Sequence, residues 1–121
     1  MRQIHQWLAR IVLAGFLAQF YLAGTGIFGV GTLDPHRMLG SVLAIPIILL
    51  LILALAGRMG QRLIGLSVLL VVLTIVQAML PSLRDDAAWL AALHPINALA
   101  LMGITAAIGR EAQPAVQGAV Q

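Results

Sequence analysis

Four apolar runs, at about 4–24, 35–56, 63–80 and 94–108, take up most of this chain and limit what it can fold into. About 20 apolar residues in a helix match the thickness of a bilayer's hydrocarbon core. Inside that core every backbone N–H and C=O must find its partner within the protein, which leaves helices or a closed barrel. The runs do not alternate apolar with polar, so they read as helices. With 61% hydrophobic and 9% charged residues in 121, a soluble domain of this size has too little interior to hide its apolar surface. The expected fold is therefore all-α. It is a transmembrane four-helix bundle forming one domain over 1–121.

The breaks between runs set the expected boundaries. Gly24, Gly26, Gly29 and Gly31 predict that span one ends there in a compact loop. The same stretch fits the pattern G-x-G-x-x-G, but no strand precedes it, so a dinucleotide-binding reading fails. Asp34 as N-cap and Pro35 at the first helical position start span two. Pro46 inside it frees a carbonyl near Val42. Residues 57–62 form a basic turn, and Pro81 ends span three. Residues 87–93, with Trp89, suit a short interfacial helix. From Gly109 onward the tail, with Pro114, Gln117 and Gln121, is expected to fray. The N-terminal run resembles a signal peptide. It is longer than an h-region and lacks a small-x-small cleavage site, so a retained first span is expected.

Charge gives orientation. All seven basic residues are Arg, against four acids. Arg2, Arg10, Arg58, Arg62 and Arg110 fall on one side, and Arg37 and Arg84 on the other with Asp34, Asp85 and Asp86. The positive-inside rule then puts both termini and the middle turn in the cytoplasm, in a multi-pass membrane protein. The isoelectric point near 11.2 comes from these span-end Arg. No basic patch interleaved with aromatics exists, so nucleic acid is not an expected partner. With no Cys, disulfides and thiol redox chemistry are excluded.

A repeat points to a site. Gln19 to His36 and Gln77 to His94 are both spacings of 17, so the pairs are offset by 58. Such side chains are rare within spans. Each half then reads as a helical hairpin, the two being parallel repeats about an axis along the membrane normal. Both His fall within about a turn of the same end of the bundle, on diagonal helices. They are candidate axial ligands of one b-type heme, bound as metal ligands through its iron. Gly40 and Ala98, one turn on, leave room for a porphyrin face. Gln19, Gln77 or Asn97 would hold a far ring nitrogen or cap the pocket. Arg37 and Arg84 would pair with propionates.

Gln19–Gly24 (Gln-Phe-Tyr-Leu-Ala-Gly), Asp34-Pro35-His36-Arg37 and His94-Pro95-Ile96-Asn97-Ala98 resemble a family of small bacterial four-span membrane proteins of unknown function. The resemblance covers nearly the whole chain. More loosely, His36, Arg37 and His94 resemble one half of the heme A synthase family, whose halves are four-helix bundles with His on the second and fourth helices. Asp34 stands one residue closer to its His than that family's acid. The resemblance therefore implies heme binding and not the synthase reaction.

The expected function is electron transfer or heme sensing, with a quinone or another membrane redox partner alongside the lipid bilayer. The alternative is an accessory subunit or packing protein with no cofactor. No carboxylate lies within a span, so proton-coupled export lacks its titrating group. No catalytic Ser/His/Asp set, HExxH or carboxylate pair appears, so enzymatic hydrolysis is not expected.

Overall fold

A computed structural model describes residues 1–111; the tail containing Pro114, Gln117 and Gln121 lies outside the described residues. The elements are α1 (Arg2–Ile27), α2 (Asp34–Ala56), α3 (Gln61–Met79), a 3₁₀ turn at Leu80–Leu83, the one-turn α4 (Ala88–Ala91) and α5 (His94–Glu111). Four of them, with α3 extended by the 3₁₀ turn and α5 by α4, are long and apolar enough to cross a membrane. Each long helix packs antiparallel on two neighbours in the ring α1–α2–α3–α5. This leaves α2 and α5 on one diagonal, and α1 and α3 on the other. His36 and His94 mark the histidine end of the bundle; Arg2, Arg58, Arg62 and Arg110 mark the arginine end.

The solvent for this fold shows in what faces outward. Ile11, Leu17, Ile45, Ile52 and Ile75 are all more than half exposed, while His5, Ser67 and Thr105 are fully buried. Apolar outside and selected polar groups inside is the arrangement lipid imposes. Ser67 and Thr105 donate to the carbonyls of Leu63 and Leu101, one turn earlier, at 2.9 and 2.8 Å. Neither hydroxyl is left unpaired.

The core carries the repeat. α1 buries His5, Ala9, Val12 and Phe16, and α3 buries Leu63, Ser67 and Leu70, which are the first three shifted by 58. α2 buries Leu43, Ile47, Leu50 and Ala54, and α5 buries Leu101, Thr105 and Ile108 at the same shift. An i, i+4, i+7 face on every helix is what a four-helix bundle needs. Here the two hairpins bury it in the same register. Gly15 lets Leu43 pack closely on α1; its equivalent in the second half is Leu73.

Several boundaries differ from expectation. The glycines do not end α1 at Gly24: it continues to Ile27, and the loop is confined to residues 28–33. A helix keeps its backbone groups paired near the membrane, which outweighs the helix cost of Gly24 and Gly26. Asp34 is not the N-cap but the first helical residue, after Leu33; it caps no N–H and instead pairs with Arg37 and takes the hydroxyl proton of Thr32. The interfacial helix of 87–93 shrinks to Ala88–Ala91. Fraying from Gly109 does not occur in the described part, because α5 continues to Glu111. There Arg62 of α3 pairs with it at 2.9 Å.

Candidate functional site

Two helix starts build the histidine end. The α2 start places His36 in its first turn, and the α5 start at His94 does the same. His36 Nδ1–H donates to the carbonyl of Gln19 at 3.0 Å, and His94 Nδ1–H to that of Gln77 at 3.1 Å. A carbonyl only accepts, so each Nδ1 carries a proton, and Nε2 is the nitrogen whose lone pair could bind a metal. Among the described residues neither Nε2 has a hydrogen-bond partner. In both halves the expected glutamine meets the histidine, but through its main chain rather than its amide. For Gln77 the cause is readable: Pro81, four residues on, has no N–H to give that carbonyl.

The two rings face each other across the diagonal. Their centroids are 6.1 Å apart and their planes are inclined at 62°. The contact is edge to face, and His36 and His94 are the residues that would hold a metal here, each through its Nε2. No cluster of three or more His, Cys, Asp or Glu is present among the described residues. The donor set is thus two nitrogens, which suits a metal that brings its own equatorial ligands.

The remaining site residues divide between the halves. Asn97 Nδ2 donates to Leu73 O at 2.9 Å and to Gln77 Oε1 at 2.8 Å, so the second half's amides are locked together. Its counterpart in the first half is Leu39, which offers no donor. Gln19 Oε1 is accordingly buried without a partner. The Gln19 amide lies in the notch over Gly40: a Cβ there would sit 2.7 Å from Gln19 Nε2. That notch is filled by a flexible side chain, and a porphyrin edge gains the space only when Gln19 swings away. Ala98, the equivalent of Gly40, is half-buried. Arg37, in the first turn of α2, and Arg84, in the turn after the 3₁₀ segment, are both exposed and lie 3.4 Å from Asp34 and Asp85.

One histidine was missed by sequence reasoning. His5 is fully buried near the arginine end, where its Nε2–H donates to Leu50 O at 3.0 Å. Its Nδ1 has no partner. Leu50 is 14 residues beyond His36, which puts this ring roughly 21 Å along the bundle from the His pair. The signal was the spacing 5, 9, 12, 16, one face of a helix that leads into the core. The sequence reading assigned His5 no role. At that end Arg10 stacks over Trp7, 4.7 Å from the ring centre.

Comparison with known proteins gives one match. A model of a family of unknown function, DUF6220, matches residues 19–83, more than half of the chain. The chain belongs to that family. The matched stretch contains Gln19, His36 and Gln77 and stops before His94. No curated protein matches the chain, and no solved structure does.

Proposed function

We propose that this member of DUF6220 is a membrane-embedded b-type heme protein, with His36 and His94 as axial ligands, serving electron transfer or heme sensing. The observation that carries this reading is the pair of imidazoles 6.1 Å apart, each tied through Nδ1 to a backbone carbonyl. Anchoring one ring nitrogen leaves the other basic and oriented, the usual support for a metal-binding histidine. Heme would supply one-electron redox chemistry. The chain's own part is to hold two nitrogens at a fixed separation, to exclude water with α1 and α3, and to yield space at Gln19. Asn97 keeps the Gln77 side chain off the His94 ring. Arg37 and Arg84 would exchange their neighbouring acids for propionates, at little cost because both pairs are exposed. Both termini face the cytoplasm of an inner membrane in this reading, on the strength of the Arg distribution.

Full-length protein purified in detergent, with and without added hemin, tests the proposal. The expected result is a sharp Soret band, with resolved α and β bands on reduction. Protein that is colourless and also takes up no hemin would overturn it. Orientation is checked separately, by labelling Asp85→Cys and Gln61→Cys in intact cells. Only position 85 should react with an impermeant maleimide, and the opposite pattern would reverse the topology.

A further inference from the structure

The arginine end carries more positive charge than the chain's own acids can answer. Of the four carboxylates, those of Asp34, Asp85 and Asp86 lie at the histidine end, and Glu111 is taken by Arg62 at 2.9 Å. No Asp or Glu follows Glu111 in the sequence. Arg10 and Arg110 are exposed and make no ion pair among the described residues. Arg10 also stands eight residues beyond Arg2 on α1, roughly 12 Å deeper along the bundle. A guanidinium facing lipid at that depth is costly unless it reaches back to an anion at the interface.

The two arginines meet at one seam. α1 packs on α5, and a Cβ on Gly109 of α5 would stand 3.9 Å from the Cβ of Ala9 on α1. Arg10 and Arg110 are the next residues. One residue turns an α-helix by about 100°, so each side chain leaves the seam for its exposed flank at the same depth. Arg10 is held in place, its guanidinium 4.7 Å from the centre of the exposed Trp7 ring. Stacking covers the flat face of a guanidinium and leaves its N–H edge free for an anion. The repeat supplies a comparison within the molecule. At the shift of 58, Arg10 corresponds to Val68 and Arg110 to Ile52, both exposed. The equivalent α3–α2 seam is apolar where this one carries two charges.

We propose that the α1–α5 seam at the arginine end binds one anionic phospholipid, with its phosphodiester between Arg10 and Arg110. Charge complementarity chooses the occupant. Two guanidiniums with no carboxylate left to them favour a headgroup of net negative charge over a zwitterionic one, whose ammonium already answers its phosphate. A lipid also fits the rest of the seam, because the flank continues toward the bilayer centre through Leu17 of α1 and Leu99 of α5, both exposed. A free phosphate has no use for that apolar surface. The site is independent of the histidine pair, which lies at the other end of the bundle. Since Val68 and Ile52 replace the two arginines in the equivalent seam, each chain has one such site.

The test uses the full chain carrying Trp89→Phe, which leaves Trp7 as the sole tryptophan, in phosphatidylcholine vesicles. Brominated lipids quench tryptophan only at close range, so brominated phosphatidylglycerol and brominated phosphatidylcholine report which lipid stands beside Trp7. A basic residue near the membrane surface favours an anionic lipid about fivefold. Two together should give phosphatidylglycerol a preference of roughly 25-fold. Arg10→Gln and Arg110→Gln should each reduce it to about fivefold, and the double variant should abolish it. Arg58→Gln, in the middle turn, should leave it unchanged, and added inorganic phosphate should not displace the lipid. A converse variant does not depend on removing either arginine. Val68→Arg combined with Ile52→Arg should add a second retained phosphatidylglycerol, counted by native mass spectrometry. Equal quenching by the two lipids would overturn the proposal. So would an Arg58→Gln effect as large as that of Arg10→Gln, which would mean diffuse attraction by net charge.

Discussion

The two hairpins share a register and differ in what they do with it. Core positions repeat at a shift of 58, and so does each contact from a histidine to a glutamine carbonyl. Around that shared frame the second half is locked and the first is loose. Asn97 clamps Gln77, whereas Leu39 leaves Gln19 Oε1 buried without a donor. Ala98 tolerates a methyl where Gly40 has to make room for the Gln19 amide. At the far end His5 stands where the second half has Leu63. What repeats is therefore the pair of nitrogens, and what varies is everything that would hold a ligand's edge. A site built for one ligand between two equivalent histidines needs the first to be symmetric and gains from asymmetry in the second, because one side has to open.

The largest effect expected is on the symmetric part. His36→Ala and His94→Ala should each abolish the six-coordinate heme spectrum, and the double variant should lose bound heme altogether, read by absorbance and by heme content per protein. If the halves are equivalent, the two single variants lose comparable amounts. A His36 variant with an unchanged spectrum would break the comparison and the two-ligand reading with it.

Much of this was legible from the chain because lipid leaves so few options. Run length gave four helices, and a rare polar residue inside a span stands out, so the Gln and His spacing could be read directly. Less legible was anything decided by a single atom. The amides of Gln19 and Gln77 were the obvious partners for the His rings, yet main-chain carbonyls take that role. At Gln77 the missing N–H of Pro81 explains it, four residues away in the sequence. At Gln19 nothing comparable precedes the contact: residue 23 is an alanine. The helix through Gly24 and Gly26 was hidden by glycine's low propensity, which the need to pair backbone groups overrides. His5 was hidden by its position near the start.

His5 gives the next effect in size. Its ring is buried, Nε2 is satisfied by a carbonyl that also serves α2, and Nδ1 has nothing. Replacing a half-satisfied polar group with an apolar one of similar volume is neutral or stabilising. His5→Leu, which copies Leu63 into the first half, should raise thermal stability in detergent by roughly 1–2 kcal/mol. His5→Ala leaves a cavity and should lower it by about 2–3 kcal/mol. Loss of stability in both variants would mean that Nδ1 holds a water or another partner, and that the arginine end carries a function of its own.

Leu39→Asn is the sharper test of asymmetry. It gives the first half the residue that locks the second, and so offers Gln19 Oε1 a donor. Interhelical hydrogen bonds in bilayers are worth about 0.6 kcal/mol and at most about 2, so the gain in stability should be of that order. If Gln19 has to swing aside for a porphyrin, the same variant should bind hemin more slowly than the native chain. Faster uptake would show that the loose half is not the door.

The smallest effect concerns how the second hairpin is tied at the arginine end. Arg62 of α3 and Glu111 of α5 lie in the same hairpin, and their pair is partly open to solvent, with side-chain exposures of 78% and 34%. Exposed pairs contribute about 0–1 kcal/mol, and salt screens them. Glu111→Gln should therefore change stability by less than about 1 kcal/mol, with the difference vanishing in high salt. It should leave the spectrum untouched, since the His pair lies at the opposite end. An effect on it would require the α3–α5 hairpin to transmit strain along its whole length. The close packing of Leu63, Ser67 and Leu70 against Leu101, Thr105 and Ile108 would then be a lever, whereas the satisfied hydroxyls of Ser67 and Thr105 mark it as a fixed core.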